Sequence, residues 1–322
     1  VSQQFLLQSS PQTCHWGFFD AALPPVMTVR SGDTVTVECV SGGGECLPVP
    51  AGFDILPDHD AILGAMQPKL GPHILTGPIA VEGAVPGDVL QIDIQAVDLR
   101  QAWGWTVIRP LMGTLPEDFP KAKLWHTAID INRRVGTLPW GPEIALKPFF
   151  GILGVAPPPE WGALGSVEPR CYGGNIDLKE LVAGTTLYLP VWAPGALFSV
   201  GDGHAVQGDG EVCLTALETA LRGTFKLTLR KDMKLSLPMA ETPTHAITLA
   251  FDPDLDDAAK QALRAMIGQI VSRTGLPADD AYMLCSLAAD VRITQLVDGN
   301  KGAHVMIEKK WLEGPRLVTG EP

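Results

Sequence analysis

The sequence predicts a mostly β chain, a β-sandwich or barrel-like body, completed by a smaller α+β part at its C-terminal end. Three observations predict it. Gly 34 and Pro 28 are high counts that punctuate short apolar runs, and chain broken so often builds strands and turns rather than helices. Period-two alternation with β-branched residues recurs in those runs. In the last third the alternation gives way to helical spacing.

Taken in order, strands are expected over Thr34–Val40 (TVTVECV), Val89–Val97 (VLQIDIQAV), Thr186–Val191 (TLYLPV) and Thr224–Leu229 (TFKLTL), each bounded by turn residues. HAITLAF (His245–Phe251) reads as a further strand. An amphipathic helix follows from about Asp254 to Thr274, with Leu255, Ala258, Ala259, Ala262, Leu263, Met266, Ile267, Ile270 and Val271 at helical spacing. Asp254 is placed to cap it, and Gly275 to supply the left-handed residue that ends it. A second helix is expected after Pro277, through DDAYMLCSLAADV, and a returning strand over His304–Trp311. The division drawn is residues 1–222 for the β-rich body and 223–322 for the α+β part, with no linker between them.

Composition narrows the function. Lys plus Arg number 24 against 36 Asp plus Glu, a net charge of −12. No basic stretch interrupts that balance, so neither nucleic acid nor an anionic membrane surface is expected as partner. No apolar run approaches the ~18 residues a bilayer span needs, and VSQQFLLQSS at the start lacks signal-peptide character. The 6 cysteines are scattered without a CxxC pair. They read as reduced thiols, and the expected location is the cytoplasm.

Three segments carry the chemistry. GPHILTGPIAVEGAVPGD (Gly71–Asp88) cannot be helical, and His73 and Glu82 are its capable groups. In CYGGNIDLKEL (Cys171–Leu181), Gly173, Gly174 and Asn175 allow close backbone approach to a ligand. Asp177 follows, either as a functional acid or as the cap of a short helix over Leu178–Leu181. The third, FSVGDGHAVQGDGEVCLTALE (Phe198–Glu218), is the densest, holding Asp202, His204, Gln207, Asp209, Glu211 and Glu218 among glycines. Asp-Gly pairs form hairpin turns, which explains either pair taken singly. Asp202 and His204 at i and i+2 would share one face of an extended segment. Carboxylate with imidazole suits Zn²⁺, and oxygen ligands alone would suit Ca²⁺. There is no GxSxG elbow, Walker A loop or Rossmann glycine motif, and no spacing ties Ser166 or Ser199 to a His–Asp pair.

GPHILTGPIAVEGAVPGDVL, YGGNIDLKELVAGTTLYLPV and GALFSVGDGHAVQGDGEVCLTALE closely resemble three signature blocks of the acetamidase/formamidase family. The resemblance runs in order over almost the whole chain. It implies a homo-oligomer that hydrolyses small carboxamides to carboxylate and ammonia with a divalent metal, Zn²⁺ or Ca²⁺. Carried over by position, His73, Asp177, Asp202 and His204 are the candidate metal ligands. Glu82, Glu211 and Glu218 are the candidate proton-transfer groups, and Gly174, Asn175 and Gln207 the substrate or oxyanion contacts. Two rival readings are a γ-lactam or imide hydrolase of the same family and a non-catalytic β-domain that binds metal or a small ligand.

Overall fold

A computed structural model describes residues 2–313. Two large sheets form the body. A nine-stranded sheet runs in the order Gln4–Leu7, Thr34–Glu38, Leu221–Arg230, Val89–Leu99, Thr185–Pro190, Met239–Glu241, His245–Asp252, Lys301–Glu308, Ala289–Gln295. An eleven-stranded sheet contains Phe149–Gly154, Phe198–Val206, Leu217–Glu218 and Trp103–Ile108 along its path, with Ile74–Val81 paired to Phe198–Val206. Val35, Ile92, Phe225 and Leu249 of the first sheet and Leu75, Ile152, Phe198 and Val200 of the second share one buried cluster. The core therefore lies between the sheets, as sandwich packing requires.

The expected strands are found at Thr34–Glu38, Val89–Leu99, Thr185–Pro190, Leu221–Arg230 and His245–Asp252. The last shows why an apolar run can be a strand. Ile247 and Leu249 face the inter-sheet core, whereas Ala246 and Ala250 face the helices. Both faces are covered, so polar alternation is lost, and the one polar residue in the run, Thr248, donates to the carbonyl of Ala262.

Three helices are numbered α1 (Pro57–Ala65), α2 (Leu255–Thr274) and α3 (Ala278–Ala288). Asp254 caps α2 by accepting from the amides of Asp256 and Asp257, and Gly275 closes it at φ 80°. Along it Ala258, Ala262, Met266 and Ile270 are fully buried, and Ala262, Met266 and Ile270 pack on Val305 and Ile307 of the outer strands. No helix among the described residues is long and apolar enough to cross a membrane.

Several expectations need correcting. The boundary drawn at 222/223 falls inside the strand Leu221–Arg230, which pairs with both Thr34–Glu38 and Val89–Leu99. The C-terminal strands continue that same sheet, and residues 314–322 of the α+β part lie outside the described residues. The final strand spans Lys301–Glu308, and Lys309–Trp311 is a 3₁₀ turn. No helix forms over Leu178–Leu181. Asp177 has φ 54°, a left-handed conformation, whereas an N-cap residue needs extended backbone. Helix α1, absent from the sequence reading, is a short PDHDAILGA segment opened by a proline.

Candidate active site

The strand Phe198–Val206 carries the site. It is buried along nearly its whole length, lying between Phe149–Gly154 and the strands Leu217–Glu218 and Ile74–Val81. His204 stands opposite Phe149 on one side and Glu218 on the other. Asp202-Gly203 is thus inside a strand, where the sequence alone allowed a turn.

His204 is completely buried. Its Nδ1 lies 2.9 Å from Gln207 Oε1, and Gln207 Nε2 donates to the carbonyl of Asp177 at 3.0 Å. The second bond fixes which end of the Gln207 amide faces the ring. Gln207 can only accept there, so Nδ1 carries the hydrogen and Nε2 is turned inward. Around Nε2 stand Asp202 Oδ2 at 3.1 Å, Glu218 Oε1 at 3.2 Å, Asp177 Oδ1 at 3.8 Å and Glu211 Oε1 at 3.9 Å.

Such a cluster strains its surroundings. Asp177, Asp202 and Glu211 all adopt left-handed backbone, at φ 54°, 57° and 45°, and strain of this kind concentrates at functional sites. Both carboxylate oxygens of Asp177 are buried without a hydrogen-bond partner, as is Oδ2 of Asp298. Gly151 makes room beneath: a Cβ there would lie 2.5 Å from Asp177 Oδ1 and 2.5 Å from Asp202 Oδ2.

The electrostatics follow from burial. Loss of solvent raises Asp177 to about 7 and Glu218 to about 8. Glu211 and Asp298 rise well above the usual carboxylate range, first through burial and then through the neighbouring Asp177. Burial also pushes Asp202 up, but the charge of His204 beside it overrides this and holds it low. His204 responds in the opposite sense: burial opposes its charge, yet Glu218 and Asp202 raise its pKa well above the ordinary value. So many carboxylates cannot share a dry cavity without protons or a cation to offset them.

The unpartnered oxygens fit a cation. Asp177, His204 and Glu211 form one set whose ligand atoms lie within 4.8 Å of one another, and Asp202, His204 and Glu218 form a second. Imidazole with carboxylates is a donor set for a divalent metal.

A cavity of about 70 Å³ opens above the cluster, bounded by Asp202, Glu211, Glu218 and Asp298 at one end and by Val40, Ile74, Trp105 and Leu214 elsewhere. His73 lines it too, with Nδ1 2.8 Å from Ser166 Oγ. Of the other expected residues, Asn175 lines the cavity, but Gly174 does not. A side chain at Gly174 would meet Tyr172 and Phe19. Gln207 supports His204 from behind. Glu82 is misplaced by the sequence reading: its side chain is 57% exposed and 3.5 Å from Arg30. It follows Ile74–Val81 at the end opposite His73, which at ~3.3 Å per residue removes it about 25 Å from the cluster.

Two features escaped the sequence. Asp298 comes from the turn after the outermost strand, and its only signal was one more Asp-Gly pair. Ser199 and His15 form a buried pair, Oγ to Nε2 at 2.9 Å. His15 Nδ1 has no partner, so no acid completes a nucleophilic triad there.

Relatives named formamidase and acetamidase define the class: the protein is a hydrolase of carbon–nitrogen bonds other than peptide bonds. More particularly, the chain belongs to the acetamidase/formamidase family, whose model matches residues 6–164 and 160–307. It is 30% identical over 301 residues to a formamidase of Methylophilus methylotrophus, a match covering 74% of this chain and 72% of that one. The crystal structure of an acetamidase from Bacillus halodurans superposes with a TM-score of 0.83 at 30% identity, covering 96% of this chain and 98% of that one. A γ-lactamase from Delftia acidovorans shares the fold, with a TM-score of 0.63 at 23% identity over 98% of this chain and 95% of that one.

Proposed function

We propose that the protein hydrolyses small linear carboxamides to carboxylate and ammonia, and that Asp177, Asp202 and His204 hold a divalent cation, Zn²⁺ or Ca²⁺, as it does so. The observation that carries this is the inward nitrogen of His204, surrounded by buried carboxylates with unpartnered oxygens at the floor of a small cavity. When bound, such a cation supplies Lewis acidity toward the carbonyl and makes water more acidic.

The chain's own groups supply the rest. Gln207 holds His204 in one tautomer and orientation. Glu218 is fixed by the amide of Ala216, which donates to Oε1 at 3.0 Å. Its carboxylate, 3.2 Å from His204 Nε2, can take a proton from water and give it to the departing nitrogen. Glu211, whose Oε1 is 3.9 Å from the same nitrogen of His204, is a second proton carrier. Val40, Ile74 and Leu214 exclude bulk water, and a cavity of about 70 Å³ suits a short acyl group. His73 is placed as a pocket wall held by Ser166. The cytoplasm is where we place the protein, in keeping with 6 free cysteines, and the homo-oligomer belongs to the same proposal.

The test is ammonia release from formamide, acetamide, propionamide and a γ-lactam, before and after chelator treatment with metal content recorded. Chelator-sensitive turnover ranked toward the short linear amides is expected. Undiminished turnover of the metal-free protein overturns the cation; no turnover of any amide by metal-replete protein overturns the activity.

A further inference from the structure

We infer that Trp105 and Asn175 recognise the carboxamide group itself: the indole N–H donates to the substrate's carbonyl oxygen, and Asn175 Oδ1 accepts from its N–H. The inference rests on the amide-hydrolase reading and adds how the substrate is oriented.

Trp105 sits in the strand Trp103–Ile108, directly opposite Glu218. It is 4% exposed and lines the cavity, yet its Nε1 has no hydrogen-bond partner. An indole nitrogen only donates, and a buried donor left unpaired loses the hydrogen bond it had to water. Other buried or half-buried tryptophans do not bear that cost. Trp16 donates to the carbonyl of Pro72 at 2.7 Å, Trp103 to that of Asp54 at 2.9 Å, and Trp192 to that of Cys171 at 3.4 Å. The glycine beside the Trp105 nitrogen also allows no side chain to crowd it. Gly42 lines the same cavity at φ 94°, and a Cβ on it would lie 3.0 Å from Nε1.

Asn175 presents the complementary half. It is 3% exposed, and Nδ2 donates to the carbonyl of Val167 at 3.1 Å. That bond fixes the amide orientation and leaves Oδ1 as the free end, buried and without a partner. The residues that line the cavity therefore carry one fixed unsatisfied donor and one fixed unsatisfied acceptor, both on neutral side chains. A primary carboxamide offers one acceptor and donors on the adjacent atom, and so completes both. An ester offers the acceptor without the N–H and completes only the first. Sites built this way reject an analogue lacking the group they bind, because the buried partner is then left unpaired.

The experiment is a titration of ¹⁵N-tryptophan-labelled protein with acetamide and with methyl acetate, followed by the indole N–H signals. The Trp105 signal, one of 8, is assigned by its loss in Trp105→Phe. Acetamide is expected to shift that signal downfield, and Trp105→Phe to bind both ligands about tenfold more weakly. Asn175→Ala is expected to narrow the preference for acetamide over methyl acetate by about tenfold. This ratio is taken within one variant, so partial unfolding does not mimic it. No shift of the Trp105 signal in the wild type, or an unchanged ratio in Asn175→Ala, overturns the inference. Ammonia release is scored separately: shifts without turnover would leave the recognition standing and remove the hydrolase reading.

Discussion

His204 and Gln207 are joined Nδ1 to Oε1 at 2.9 Å, and this one bond decides which nitrogen of the imidazole faces the buried acids. Gln207→Leu keeps the volume and removes the acceptor. Supporting contacts of this kind are worth about 10–100-fold in metal affinity. Zn²⁺ titration of the variant should show a loss of that size with the fold intact by circular dichroism, and unchanged affinity would remove Gln207 from the site.

Gly151 lies beneath the acids, where a Cβ would be 2.5 Å from oxygens of both Asp177 and Asp202. Gly151→Ala should force the cluster apart. A displacement of about 1 Å can cost about 100-fold in rate, so amide turnover is expected to fall by at least that much. The check is kcat/KM on acetamide, and wild-type activity would mean the cluster is softer than its packing implies.

Glu218→Gln keeps the shape and removes the titrating group. A positioned acid–base residue contributes about 10²–10⁴-fold, so kcat should drop within that range while metal content, measured by atomic absorption, is retained. Loss of metal together with rate would instead make Glu218 a ligand.

Glu82 gives the control. It is exposed and faces Arg30, and surface pairs are worth little. Glu82→Ala should leave kcat/KM on acetamide within a factor of two, at about 1 kcal/mol or less in stability. A hundredfold loss of turnover would return it to the mechanism.

Stability should also carry a signature of His15, whose pKa is lowered by burial from 6.5 to about 4. Above pH 6.5 the ring is neutral folded and unfolded. As the pH falls toward 4 the unfolded chain takes up a proton that the folded one refuses, so stability is lost. At about 1.4 kcal/mol per pH unit, this group costs about 2 kcal/mol between pH 6.5 and 5. The raised carboxyls Asp177 and Glu218 act in the opposite sense, so the comparison must be with His15→Gln, which keeps them. Urea unfolding at both pH values should show a flatter dependence in the variant, and parallel curves would contradict the assignment.

Much of this was legible in the residues themselves. The strands and α2 were set by local alternation, helical spacing and the caps at Asp254 and Gly275. The site segment Phe198–Glu218 declared itself through acids and a histidine crowded among glycines, which ordinary turns do not need. Other parts had no local signal. Asp177 looks like a helix cap until its left-handed backbone is seen. Glu82 looks as capable as Glu218, and only burial separates them. Asp298 and Trp105 line the same cavity from distant stretches of chain, and Gly151 lies beneath the acids.

The sequence by itself determined the element types, the C-terminal helices and the chemical class of the site, because these depend on neighbours in the chain. Only the tertiary structure decided which acids meet His204, which nitrogen of its ring they meet, and that the outer strands complete one continuous sheet. Those outcomes depend on strand order and burial, and it is burial that turns exposed, solvated groups into the strained and unpartnered ones from which a reactive centre is made.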